Sequence, residues 1–142
     1  MPATFDVGPF VKGLESKVAR TDAAVRGVVG TAAHELERQT KSIFETSHRR
    51  GTPTPEPPGN PPSVITGTLR RSIKTEGPRR IGFGSYEAQV GPTVVYARVQ
   101  ELGGGPSDLP ARPYLKPSYD AWFATGSYQR RLLAAVRGAL SV

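Results

Sequence analysis

The chain contains no cysteine, which excludes disulfide bonds, cysteine-ligated zinc, iron–sulfur sites and thiol catalysis. Its only histidines are His34 and His48, and the second is followed directly by two arginines, a poor setting for a metal ligand. No apolar run approaches the roughly 18 residues that a membrane span needs, and no secretory signal is visible. We therefore expect a soluble protein of a reducing cytoplasm, with no metal, no cofactor and no membrane contact.

Recognisable catalytic patterns are missing as well. There is no serine-centred nucleophile elbow and no Walker loop. Acidic residues are scattered singly and form no close pair suited to acid–base catalysis. The stretch 82–87 has only the first half of a dinucleotide-type glycine pattern, so it predicts a β-turn. We expect no catalytic residue and no enzymatic activity.

Glycine, proline and positive charge are abundant by comparison. The 142 residues include 16 glycines and 14 prolines, which interrupt helices and strands, so much of the chain is predicted to be turn and loop. Lysine and arginine number 19 against 12 acidic residues, a net charge of +7. The length fits a single domain over residues 1–142.

Residues 8–45 predict one long helix. Its apolar positions alternate in steps of three and four, which is typical of a helix packed along another surface; they are Val11, Leu14, Val18, Thr21, Val25, Val28 and Ala32. Such a helix of ~36 residues runs about 54 Å, which exceeds the width of a domain this size. Either it bends near Gly27 and Gly30, which mark a bend or a close approach, or one end reaches out to a neighbour. A core helix and a helix between subunits both remain open.

The rest of the chain divides into three segments. Residues 46–65 hold six prolines between positions 53 and 62 and predict an extended loop or arm, either disordered or laid on a neighbour. Residues 66–104 predict strands at 72–75, 80–84 and 86–90, with Gly77-Pro78 closing the first, then a short helix at 94–102. That helix stops at Gly103, Gly104 and Gly105, which predict a mobile loop.

Residues 109–142 form a terminal helical region. Pro113 or Pro117 suits a first helical turn, and Gly126-Ser127 predicts a break with Ser127 as the cap of the next helix. Together the four segments predict an α+β fold, in which a long N-terminal helix and a C-terminal helix pack on a small antiparallel sheet, with a Pro-rich loop.

Basic residues cluster in two places. Positions 70–80 contain five basic residues and only one acidic residue. The basic residues are Arg70, Arg71, Lys74, Arg79 and Arg80. Arg49 and Arg50 form a second cluster. The clusters fit a solvated face, contacts to acidic surfaces of a partner, or non-specific nucleic-acid contact that weakens steeply with salt. No recognisable nucleic-acid motif accompanies them.

Two stretches carry a family resemblance. One is TGTLRRSI at 66–73, and the other runs from Val-Gly-Pro at 90–92 through Tyr-Ala at 96–97 and Glu-Leu-Gly at 101–103 to Ala-Arg-Pro-Tyr-Leu-Lys-Pro at 111–117. In this order and spacing the chain resembles the small neck proteins of long-tailed bacteriophages, the tail-completion or head–tail joining family. The match covers about residues 8–140, although the Pro-rich segment is bulkier than the family pattern.

The resemblance implies a non-enzymatic virion component at the head–tail junction, present in the host cytoplasm during assembly. It implies a ring of six or twelve copies, with the connector and the tail terminator or tube as neighbours, and non-specific contact with packaged DNA as a further expectation. Candidate contacts to copies or partners are Arg49, Arg50, Arg70, Arg71, Arg98, Glu101, Gly103, Gly104 and Gly105. The alternative is a small basic nucleic-acid-binding module.

Some residues of these motifs have more specific expectations. Arg98 and Glu101 either pair with each other along the short helix or face a neighbour. The loop at 103–107 and the Pro-rich arm are candidates for segments that order on assembly. The core is expected to contain Tyr96, Ala97, Leu102, Tyr114 and Leu115, with the stretch 112–115 pinning the terminal helix to the sheet.

Overall fold

The computed structural model describes residues 6–141 and has the predicted α+β architecture. A two-stranded antiparallel sheet packs beside the long N-terminal helix, and two further helices follow at the C-terminal end. The elements in chain order are α1 (Gly8–Ser42), α2 (Thr68–Ser72), β1 (Ile73–Gly82), β2 (Ser85–Pro92), α3 (Ala97–Leu102), α4 (Leu115–Ala124) and α5 (Ser127–Leu140).

Helix α1 is continuous, with Pro9 in its first turn, where a missing N–H is tolerated. It ends at Ser42, three residues before the predicted boundary at 45, and Phe44 turns into the core instead. Gly30 marks a close approach, because a Cβ built there would lie 3.3 Å from Cδ of Pro78 in β1. A side chain at this position would push the hairpin away from the helix.

The β-hairpin corrects the predicted strand pattern. The sequence predicts that the first strand ends at Gly77-Pro78, but β1 runs through both residues. The register passes from Glu76↔Gln89 to Arg79↔Glu87, so β1 has one extra residue at this point, a β-bulge. A sheet of two strands tolerates proline at such a bulge, since its unpaired edges need no N–H donor there. Gly77 has φ +97°, and a Cβ on it would lie 2.8 Å from the carbonyl oxygen of Glu87.

The core lies where α1 ends, β1 begins and α4 begins. Phe44, Ile73 and Tyr114 are buried there, and the rings of Phe44 and Tyr114 lie 5.3 Å apart. Burial raises the pKa of the Tyr114 hydroxyl well above its ordinary value. Partly buried side chains surround the three, namely Ile43, Val64, Leu69, Val90 and Leu115.

The predicted core residues divide into two groups. Tyr114 and Ala97 are buried and Leu115 packs against the core, as predicted. Tyr96 and Leu102 were wrongly predicted, because both are exposed. The reason is the short length of α3, whose inward side at Ala97 covers the body while its two ends project into solvent.

The Pro-rich segment folds back on the chain's own body. At its base the N–H of His48 donates to the carbonyl of Val64 at 3.0 Å, beside a bridge between Ser47 and Val64. Further along, the N–H of Gly59 donates to the carbonyl of Ala111 at 3.0 Å. The residues at 49–55 form an exposed tip. The segment is thus a loop tied at its base and at one side.

The C-terminal helices follow the predicted break. Pro117 lies in the first turn of α4, and the chain breaks between α4 and α5 at Gly126, which has φ +64°. Gly126, and not Ser127, precedes the first turn of α5, and the hydroxyl of Thr125 accepts a hydrogen bond from the Ser127 N–H at 3.2 Å.

Candidate functional site

The apolar row along α1 is covered at one end only. Val28 is 5% exposed and Ala32 is also buried, whereas Phe10 is 74% and Leu14 is 54% exposed. Residues 9–16 are all exposed, a length of about 12 Å at 1.5 Å per residue. One end of α1 therefore does project from the domain. We call its uncovered residues, Val7, Phe10, Val11, Leu14 and Val18, the protruding stripe.

Polar contacts hold α1 to the hairpin at Asp22. The Asp22 carboxylate accepts hydrogen bonds from the Tyr86 hydroxyl at 2.5 Å and from Arg80 at 3.2 Å, which ties the hairpin to the helix. The bond to Asp22 raises the pKa of Tyr86. These contacts lie on the C-terminal side of the protruding stripe, which ends at Val18.

Two glutamates fasten the other half of α1. Glu35 binds Arg131 of α5 at 2.6 Å, and the hydrogen bond from Arg131 holds the pKa of Glu35 below its usual value. Glu37 accepts hydrogen bonds from Lys41 and from the Thr75 hydroxyl of β1, and both lower its pKa. The charged form of each carboxylate thus binds α1 to its neighbours.

A second uncovered apolar surface lies between α1, β2 and the C-terminal helices. It is an open groove of about 320 Å³ that we call the aromatic groove, lined chiefly by Ala32, Leu36, Ala88, Val90, Tyr119, Trp122 and Tyr128. Phe123 stacks on Tyr119, with ring centroids 5.7 Å apart, and both rings are about half exposed. The sequence alone does not predict the groove, because its walls come from segments far apart in the chain.

The arginines of the two basic clusters fall into two groups. Arg49, Arg50, Arg70 and Arg71 are exposed, and no side-chain hydrogen bond or ion pair is seen for them among residues 6–141. Arg79 and Arg80, by contrast, form ion pairs with Glu87 at 2.9 Å and Asp22 at 3.2 Å. The basic cluster at 70–80 is therefore partly neutralised by the chain itself.

Glu101 does not pair with Arg98, which corrects one of the two expectations for this helix. Its carboxylate accepts backbone N–H bonds from Tyr114 at 2.7 Å, Leu115 at 3.0 Å and Lys116 at 3.0 Å. A carboxylate is stabilised at a helix N-terminus, where N–H groups lack partners within the helix. Glu101 thus fixes the start of α4, while Arg98 stays exposed on α3.

The three consecutive glycines close a tight turn. Gly103, Gly104 and Gly105 all have positive φ, and Gly104 exchanges two backbone hydrogen bonds with Leu109, at 2.7 and 3.0 Å. A Cβ on Gly103 would lie 2.8 Å from the Ala111 nitrogen. The glycines therefore have a structural role in this turn, and their contact with a partner stays a prediction.

The described residues contain no cluster of three or more His, Asp or Glu side chains that can hold a metal ion. His34 is exposed, and its nearest carboxylate oxygen is that of Glu37 at 4.0 Å. Within residues 6–141 no helix is both long and apolar enough to cross a membrane. Comparison with family models, curated proteins and solved structures finds no match to this chain.

Proposed function

We propose that the chain is a structural subunit of the neck of a long-tailed bacteriophage, one copy in an oligomeric ring that joins head and tail. The protruding stripe is the observation that carries the proposal. A helix that exposes an ordered apolar row beyond its own domain is suited to contact a neighbouring subunit. The function is assembly, and no catalytic step is part of the proposal.

The motifs behind the family resemblance support this proposal because they meet in space. Ile73 belongs to the first motif stretch, Ala97 and Tyr114 belong to the second, and all three residues are buried. Glu101, from the middle of the second stretch, binds the amides at 114–116. The short motifs thus belong to one packing arrangement. This packing gives a physical reason for their occurrence together in one sequence.

The small core agrees with a subunit that is completed by its neighbours. Among the described residues seven apolar side chains are buried, while sixteen large apolar side chains are exposed. Obligate assemblies bury such surface between subunits. We infer that part of the chain's stability comes from the ring.

The test is quantitative mass spectrometry of purified particles from the phage that encodes the chain. We expect about one ring, six or twelve copies per particle, closed symmetries of this kind being usual for oligomers. Deleting the gene should leave filled heads and free tails that do not join, and supplying the chain in trans should restore joining. Absence of the chain from complete particles would contradict the proposal.

A small nucleic-acid-binding module is the second candidate, favoured by the four exposed arginines at 49, 50, 70 and 71. Duplex DNA binding by the monomer should then fall steeply with salt. The variant Arg70→Glu/Arg71→Glu should weaken it strongly, whereas Arg130→Glu/Arg137→Glu on α5, with the same charge change, should not. Equal loss in both variants would indicate that only the net charge of +7 attracts DNA.

A further inference from the structure

The chain exposes more surface than a compact protein of its length. Its accessible area is 9685 Å², whereas a compact monomer of 142 residues exposes about 7,000 Å². The excess is roughly 2,500 Å² on this scaling. A subunit in a head-to-tail ring has two interfaces, and obligate interfaces bury about 1,000 Å² or more on each partner. The excess is comparable with the area that two such interfaces bury.

The protruding stripe and the aromatic groove cannot meet within one molecule. Both lie on the same continuous helix, the stripe up to Val18 and the groove from Val29 onward. Leu14 and Val29 are separated by about 22 Å along α1, at 1.5 Å per residue. Only the stripe of a different molecule can therefore occupy the groove.

Contact between two stripes alone gives too small an interface. The stripe has five partly exposed apolar side chains, which offer a few hundred Å² per copy, below the about 800 Å² per partner of a standard interface. The groove adds a wider surface with half-exposed Tyr119 and Phe123 at its rim. Aromatic side chains in such positions dominate the binding energy of many interfaces.

We propose that the protruding stripe of one copy, anchored by Phe10 and Leu14, packs into the aromatic groove of the next copy at Tyr119 and Phe123. The contact joins two different surfaces, so each copy donates a stripe and accepts another, and the chains associate head to tail. This inference rests on the proposed function, since it names the contact by which the ring would close.

The test uses two variants that each remove one surface. Leu14→Asp introduces a charge into the stripe, and Phe123→Asp introduces one at the groove rim. In native mass spectrometry and sedimentation, each variant alone should be monomeric, whereas the wild type forms oligomers. Mixing the two should give a one-to-one dimer, because the Leu14→Asp chain still has its groove and the Phe123→Asp chain still has its stripe.

A matched control is available in the same helical turn. Ser16 is exposed and lies about 200° around the helix from Leu14, at 100° per residue, so Ser16→Asp should assemble like the wild type. Far-UV circular dichroism verifies that each variant folds. If Phe123→Asp does not fold, the absence of native cysteine allows a second measurement. Leu14→Cys/Phe123→Cys should be linked between chains by a short bismaleimide, and Ser16→Cys/Phe123→Cys should not.

Three results would overturn the inference. They are a wild type that stays monomeric at every concentration, a Leu14→Asp variant that assembles normally, and a Phe123→Asp variant that assembles while its mixture gives no dimer. The last result would indicate stripe-on-stripe pairing. If particles contain a full ring of the Leu14→Asp chain, the proposed contact is contradicted and the proposed neck function is supported. If the chain assembles head to tail but is absent from particles, the neck function is contradicted and the proposed contact is supported.

Discussion

Glu101 connects two parts of the chain that are not neighbours in sequence. Its carboxylate binds three consecutive backbone N–H groups at the start of α4, with N···O distances between 2.7 and 3.0 Å. The acceptor lies thirteen residues before the first donor, beyond the reach of any local capping motif. For this reason the sequence alone predicts that Glu101 pairs with Arg98 or faces a neighbour, and it does not predict the contact with α4.

We expect Glu101→Ala to lower the free energy of unfolding by about 1–3 kcal/mol, because it leaves backbone donors without their charged acceptor. Glu101→Gln should lose less, since its amide oxygen can still accept a hydrogen bond. Urea unfolding followed by circular dichroism measures both. Glu76→Ala, at an exposed glutamate, is the control and should change the stability by less than about 0.5 kcal/mol. Equal effects at Glu101 and Glu76 would contradict the assigned role.

The glycines give a second prediction, in which one substitution has opposite effects at two positions. Gly103→Ala should destabilise by about 1–3 kcal/mol, since Gly103 has φ +77° and a Cβ would contact the Ala111 nitrogen. Gly27→Ala should stabilise by about 0.5–1 kcal/mol, because α1 leaves open space around this residue and alanine favours helices. Thermal unfolding distinguishes the two, and a neutral Gly103→Ala would show that the turn can adjust.

The elements differ in how far sequence alone predicts them. The step pattern from Val11 to Ala32 predicted α1, and the glycine at 126 predicted the break between α4 and α5. The path of β1 through Gly77-Pro78 was missed, because local turn chemistry indicates an end there and only pairing with β2 makes it a bulge. The aromatic groove was missed because it forms only when α1, β2 and α4 come together.

Acid should loosen the attachment of α1 to its neighbouring elements. The pKa values of Glu35 and Glu37 are lowered in the folded state, so their contribution is complete above the unfolded pKa of about 4.5 and is lost as the pH falls through the lower folded values. The melting temperature should therefore decrease between about pH 5 and pH 3. In the double variant Glu35→Gln/Glu37→Gln this decrease should be smaller. If the double variant has the same dependence of melting temperature on pH as the wild type, the prediction is wrong.

At the scale of the whole molecule, the small core and the large exposed apolar surface bear on the proposal that copies of the chain associate. If copies bind through the protruding stripe, the melting temperature of the wild type should rise with protein concentration, by mass action. Leu14→Asp should melt at one temperature over roughly a hundred-fold range of concentration, and Ser16→Asp should follow the wild type. Scanning calorimetry or fluorescence measures this, and a concentration-independent wild type would contradict it.

The closed base of the Pro-rich loop has a practical consequence. Because Ser47 and Val64 are bridged, the two ends of the loop keep the same positions, whatever the length of the tip between them. Each doubling of loop length adds only about 0.6 kcal/mol of closure entropy. The exposed junction between Gly51 and Thr52 is therefore a suitable position to insert an epitope or a fluorescent tag. A tagged chain would let the protein be followed in a cell with its helices and hairpin intact.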